Sequence, residues 1–380
     1  MRTIYLDYNA TTPLDDAVRE AMLPFLGDNF GNPSSVHHVG QRARVALDDA
    51  RERVCAVLGC RPSEIIFTSG ATESCNLAII GAAELSRENG RHIVTSAIEH
   101  PSVLRACEYL AINAGYELSV VSPDASGMVA PEAIFEAIRP DTILVSLMTA
   151  NNEVGTLQPV AEVGEFCASN DILLHTDAVQ TFGKLPFSNI GQFRADFVSL
   201  CAHKLYGPKG AGLLYARSSL LLPPLLHGGA HENEHRAGTE NLPAIIGLAE
   251  TVERFVVNPV FNDSSLLPLS SRIIDFLDSS DSAIFRGHRE LRLPNTVAFS
   301  VPRSDSIVLL SCLDLEGICA SSGSACSSGS VSPSHVLSAM GVDELEANSL
   351  IRLSLGRESS SSEIDLLIAS LSRFFEPTTL

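Results

Sequence analysis

Short apolar runs alternate with amphipathic stretches through the first two thirds of the chain. Runs rich in aliphatic and β-branched residues at 64–69, 92–97, 117–122, 142–148, 172–176, 196–201 and 212–216 predict strands. Between them, the spacing predicts helices over 71–88, 102–114, 131–138 and 159–169. Apolar strands separated by helices imply an α/β domain, with a mostly parallel sheet covered on both faces. Such sheets bind ligands beyond the carboxyl ends of their strands.

The pattern changes after a helix predicted at 242–257. Turn formers crowd 258–265, and the remainder mixes strands at 296–301 and 350–355 with helices at 305–316, 333–340 and 363–375. This predicts a large domain over 16–257 and a smaller α+β domain built from 1–15 and 258–380. The opening residues read as a short strand, and Ser360-Ser361-Ser362-Glu363 as a capping box for the last helix.

Composition narrows the function. The formal charge of −19 disfavours direct nucleic-acid binding, because a polyanion would be repelled. No apolar run is long enough to span a bilayer, and the start lacks a signal-peptide core. Nine irregularly spaced cysteines, without a Cys-x-x-Cys pair, suit free thiols in a reducing cytoplasm and no metal site.

Five polar groups fall just past successive strands. Ser69-Gly70-Ala71-Thr72 opens a helix whose amides could hold a phosphate, or whose own threonine could cap it. His100 could stack on a planar ring, Asn152 lies in an Asn-rich turn, and Asp177 could pair with a protonated pyridine nitrogen or cap a helix. Lys204, in Ala202-His203-Lys204-Leu205-Tyr206-Gly207-Pro208, could hold an aldehyde as a Schiff base or lie on the surface. In a parallel sheet these groups converge on one edge, and together they describe a pyridoxal-phosphate site. Cys326 lies elsewhere, in Ser321-Ser322-Gly323-Ser324-Ala325-Cys326-Ser327-Ser328-Gly329-Ser330, whose small residues suit a loop that carries a group from place to place.

These segments, with Tyr5-Leu6-Asp7-Tyr8-Asn9-Ala10-Thr11-Thr12-Pro13, Arg236-Ala237-Gly238-Thr239-Glu240-Asn241 and Arg352-Leu353-Ser354-Leu355-Gly356-Arg357, resemble the NifS/IscS-type cysteine desulfurases along nearly the whole chain. The resemblance implies the fold type I, class V aminotransferase architecture and pyridoxal 5'-phosphate as cofactor. It implies that Lys204 holds the cofactor, Asp177 its ring nitrogen and Gln180 its ring hydroxyl, with His100 stacked on the ring. Ala71, Thr72 and His203 would bind phosphate, joined by Thr239 of a neighbouring subunit in a homodimer. Cys201 stands where many relatives have a phosphate-binding serine. Asn152 and Arg352 would position L-cysteine. Cys326 would take its sulfur as a persulfide, with His100 accepting the thiol proton and L-alanine leaving. The sulfur would pass to an acceptor such as an iron–sulfur scaffold, although the chain ends soon after its last helix, where IscS-type relatives carry a longer docking tail. Selenocysteine lyases and aminotransferases on the same scaffold are the alternatives.

Overall fold

The computed structural model describes residues 3–218, 220–302, 304–323 and 333–375. The strands are β1 (Ile4–Tyr5), β2 (Ile65–Thr68), β3 (His92–Ser96), β4 (Glu117–Val121), β5 (Thr142–Ser146), β6 (Leu173–Asp177), β7 (Phe197–Cys201), β8 (Gly212–Ala216), β9 (Ile284–Arg286), β10 (Thr296–Ser300), β11 (Ile318–Cys319) and β12 (Leu350–Ser354). The α-helices are α1 (Asp16–Leu26), α2 (His38–Leu58), α3 (Ala71–Leu85), α4 (Pro101–Asn113), α5 (Pro131–Ala137), α6 (Val160–Ser169), α7 (Leu242–Phe255), α8 (Asp263–Asp278), α9 (Ser306–Leu315), α10 (His335–Ala339), α11 (Glu344–Ala347) and α12 (Ser361–Phe375).

Seven strands form one sheet in the order β2-β8-β7-β6-β5-β3-β4. Neighbours are parallel except at β8, which is antiparallel to both β2 and β7. The connection 202–211 is too short for a parallel crossover, so the chain turns back at once. Strands β2, β3, β5 and β7 are buried along their whole length, whereas β4, at the edge, is partly exposed. Alternating side chains feed two cores: Ile65, Phe67 and Val198 enter one with α2, α6 and α7, and Ile66, Phe197 and Leu214 enter the other with α3 and α4.

A second, antiparallel sheet has the order β12-β10-β9. Its Val297, Phe299 and Leu353 pack with Leu266 and Ile273 of α8, Leu367 of α12, and Ile4, Leu6 and Tyr8 from the start of the chain. The turn formers expected at 258–265 run into α8, which begins at Asp263 with Asn262 as its cap. The box at α12 forms: Ser360 N donates to Glu363 Oε2 at 2.9 Å and Glu363 N to Ser360 Oγ at 3.4 Å. No helix among the described residues is long and apolar enough to cross a membrane.

Glu99 ties two strand ends together beneath the functional edge. Its Oε1 accepts from Ser96 Oγ at 2.6 Å and from Met148 N at 2.8 Å, while the buried Oε2 has no partner. Burial pushes this carboxyl up to about 8. Between the ordinary glutamate range and that value the folded chain holds a proton that the unfolded chain has lost, so stability falls as pH rises. Glu99→Gln keeps the accepting oxygen without the ionisation. Urea unfolding should find that the parent loses stability relative to this variant between about pH 5 and about pH 8; parallel pH profiles would contradict the assignment.

Candidate active site

Between β2 and α3 the chain turns at Gly70, whose φ of +156° suits glycine, and a Cβ added at Gly212 of β8 would lie 2.7 Å from Gly70 Cα. Gly70 is the N-cap of α3 and supplies no side-chain cap. Thr72 is exposed, so the alternative of a threonine capping its own helix does not hold. Ser69 N donates to Glu73 Oε2 at 2.8 Å, and Glu73 is paired with Arg236 at 2.8 Å. The start of α3, at Ala71 and Thr72, thus presents the positive end of a helix dipole.

Three strands along the sheet from β2, β6 carries His175 and Asp177. His175 is clamped between Ser146 Oγ at 2.8 Å and Ser199 Oγ at 3.0 Å, and burial drives its ring down to about 3, so it is a neutral strut. Asp177 is buried at the strand end. Its Oδ1 accepts from Val179 N at 3.0 Å, and its Oδ2 faces the weak thiol donor of Cys75 at 3.8 Å. A turn follows, so Asp177 caps no helix. Burial raises its carboxyl, and the charges of His100 and Lys204 oppose that shift.

His100 is the N-cap of α4: its Nδ1 accepts from Ser102 N at 3.1 Å. The neutral ring therefore carries its proton on Nε2. Burial depresses its basicity, with a smaller push from Lys204 and His335 against a pull from Asp177. His335, on the short helix α10, bonds the Glu99 carbonyl through Nε2 at 3.0 Å.

Lys204 ends the short turn after β7. Its Nζ donates to the carbonyls of Asn9 at 2.7 Å and Ala10 at 2.6 Å. Beside it, burial moves Cys201 up to about 11 and His203 down to about 4, so both are neutral near pH 7. His203 Nδ1 lies 3.2 Å from Thr11 Oγ1. Two residues on, the buried Tyr206 adopts a φ of +59°, an uncommon backbone for a bulky residue. It is held by Tyr206 N to Thr12 Oγ1 at 2.7 Å, its phenol to Glu358 Oε2 at 2.9 Å, and Arg357 N to that phenol at 2.9 Å.

Arg352 enters from β12 and is 2% exposed. It pairs with Asp7 Oδ1 at 2.7 Å and donates to the Asn152 carbonyl at 3.1 Å, while its buried Nε has no partner. Gln180 donates to the Asn9 carbonyl at 3.1 Å and accepts from Lys184 at 2.6 Å. Neither Asn9 nor Lys184 was given a role by sequence reasoning, although Lys184 lies four residues past Gln180 and Asn9 within the opening motif. Thr239 is exposed, and Cys326 lies outside the described residues. Among the described residues, no group of three or more His, Cys, Asp or Glu side chains could hold a metal.

The donor set suits a phosphate-bearing pyridine aldehyde. An uncapped helix start offers amides to a phosphate, a buried carboxylate has one oxygen met only by a weak thiol donor, and an amine lies near enough for its charge to act on that carboxylate. The unpartnered Arg352 Nε offers a further donor to a bound carboxylate.

Residues 4–367 match the model of the aminotransferase class-V family. The cysteine desulfurase IscS of Dictyoglomus turgidum is 44% identical over 99% of this chain and 95% of its own length. That of Methanosarcina thermophila is 44% identical over 97% of this chain and 90% of its own length. A solved NifS-like protein superposes with a TM-score of 0.91 at 38% identity, covering 98% of this chain and 99% of the other. Matched along 4–367 and built on a mostly parallel seven-stranded sheet, the chain belongs to the class-V aminotransferase family.

Proposed function

We propose that this chain is a pyridoxal-phosphate-dependent cysteine desulfurase, which converts L-cysteine to L-alanine and passes the sulfur on for iron–sulfur cluster or thio-cofactor and tRNA assembly. The observation that carries the reading is the placement of Lys204 and Asp177 at the ends of paired strands, with the charge of one acting on the other. The named activity of its IscS relatives supports it.

When bound, the cofactor withdraws electrons from the substrate α-carbon and so makes its proton and its sulfur labile. The start of α3 at Ala71 and Thr72 holds the phosphate, with His203 and Cys201 beside it. Asp177 keeps the ring nitrogen protonated, which also relieves its own burial, because a carboxylate is stabilised by an adjacent cation. Gln180 would meet the ring oxygen and His100 would cover the ring face. Arg352, oriented by Asp7 and the Asn152 carbonyl, binds the substrate carboxylate, with Asn152 beside it.

Lys204 Nζ, once displaced by substrate, takes the α-proton. Taking the proton of the Cys326 thiol calls for the other neutral tautomer of His100, whose Nδ1–H can donate to Ser102 Oγ at 2.7 Å and whose Nε2 is free to accept; the ring becomes imidazolium as the thiolate forms. The Cys326 thiolate then attacks the substrate sulfur. An S–S bond forms, the C–S bond breaks, its electron pair stays on carbon, and protonation there completes L-alanine. Cys326 is oxidised to the persulfide as the carbon is reduced, and no outside oxidant is needed.

A second copy completes the site in this reading, with Thr239 reaching the neighbour's phosphate. Apolar Leu26, Phe30, Val36 and Val45 lie exposed on α1, on α2 and between them, and the charge of Glu240 acts on Arg44 of α2.

Cys326→Ala should abolish sulfur release from L-cysteine while leaving the visible cofactor band intact, and full turnover by this variant would defeat the persulfide step. Lys204→Ala should lose the band of the lysine-bound cofactor in the absence of substrate; an unchanged spectrum would assign the cofactor to another lysine. Sedimentation equilibrium should give twice the chain mass, and a monomer with full activity would remove the shared site.

A further inference from the structure

Lys184 has no task in the mechanism above, yet it is fully buried beside it. Its Nζ donates to Asn9 Oδ1 at 2.5 Å and to Gln180 Oε1 at 2.6 Å, and lies 5.0 Å from the centre of the Phe261 ring. Burial, then the charges of Lys204 and Arg352, push its amine well below the ordinary lysine range, with only a weak opposing pull from Cys201. A methionine of similar shape would fill the space without that desolvation cost. What only the lysine brings is a pair of N–H donors.

We propose that Lys184 is a positioning residue that fixes which end of the Gln180 amide faces the cofactor. The two ends of an amide are nearly the same shape but opposite in hydrogen-bond sense. Here two partners select one orientation. Lys184 donates to the oxygen end, and the Asn9 carbonyl, which can only accept, takes one hydrogen from the nitrogen end at 3.1 Å. The second Nε2 hydrogen remains to meet the ring oxygen assigned to Gln180 above, on which reading this inference rests. Turned around, the amide would set its oxygen against both the Asn9 carbonyl and that negatively charged ring oxygen. The same amine also orients the Asn9 side chain, whose main-chain carbonyl accepts from Lys204.

An N–H aimed at the ring oxygen stabilises its negative charge. That charge is fullest once the nitrogen joining Lys204 to the cofactor has lost its proton. Losing the N–H, or a nearby positive charge, therefore raises the pH midpoint of the visible absorption change. In cofactor-loaded Lys184→Met the midpoint should rise by about half a unit or more, about threefold in the proton equilibrium. Gln180→Met should raise it similarly, and the double variant no further than the larger single one, because one residue acts through the other. A lowered melting temperature with an unmoved midpoint would overturn the assignment, as would additive shifts. Should Lys184→Met not be recovered folded, Lys184→Leu, which likewise offers no donor, takes its place, and an unmoved midpoint there counts equally against it. If the parent protein shows no pH-dependent visible band, the cofactor reading falls too; a normal parent band with unmoved variants overturns the role of Lys184 alone.

Discussion

Asn9 engages every polar atom it has. Its amide N donates to Ser354 Oγ, its carbonyl accepts from Lys204 and Gln180, its Oδ1 accepts from Lys184 and Asn295, and its Nδ2 donates to Thr296 Oγ1 and the Asn152 carbonyl. The amine at the end of β7, the polar turn after β6 and the antiparallel sheet thereby meet on one residue. Such a fully satisfied buried network is rigid, since each bond left unmade would strand a polar group away from water. The site is accordingly placed by the opening segment of the chain as much as by the large sheet.

The electrostatics follow from that enclosure. Charges couple across this region, with His100 and Lys204 acting on Asp177 and with Lys204 and Arg352 acting on Lys184, while burial works against the ionised forms of Asp177, His100 and Lys184. The raised carboxyl of Asp177 is a store of interaction that a ring cation can draw on. The buried orphan on Arg352 Nε and the weak thiol partner of Asp177 belong to this same incomplete balance. The alternative partners seen here, Asp7 on Arg352 and the Asn9 and Ala10 carbonyls on Lys204, keep both cations oriented.

Much of this was legible in the sequence for a simple reason. Strands buried on both faces must be apolar throughout, so their ends, and the polar groups just past them, stand out in the chain. Lys204 and Asp177 could be found that way. The reversed direction of β8 followed from the length of a connection, which a strand pattern does not weigh. Helix α2 was missed although Leu47, Ala50, Val54 and Leu58 recur at helical spacing, because small alanines and many charges dilute the stripe. Helix α8 hid behind the turn formers that cap it. Lys184, next to Gly183, reads locally as a solvated lysine in a turn; only the arrival of the distant Asn9 and Phe261 encloses it.

Tyr206 bends the backbone just past Lys204 into a left-handed conformation, and the partners that hold its phenol, Glu358 and the Arg357 amide, come from near the carboxyl end of the chain. Arg352 and Ser354, which grip Asp7 and Asn9, come from the same stretch. A chain still being made on the ribosome lacks all of them until Arg352 to Glu358 have been added. The lysine turn is then fastened only when that distant stretch folds back onto it, a long-range closure that ties the lysine to the antiparallel sheet.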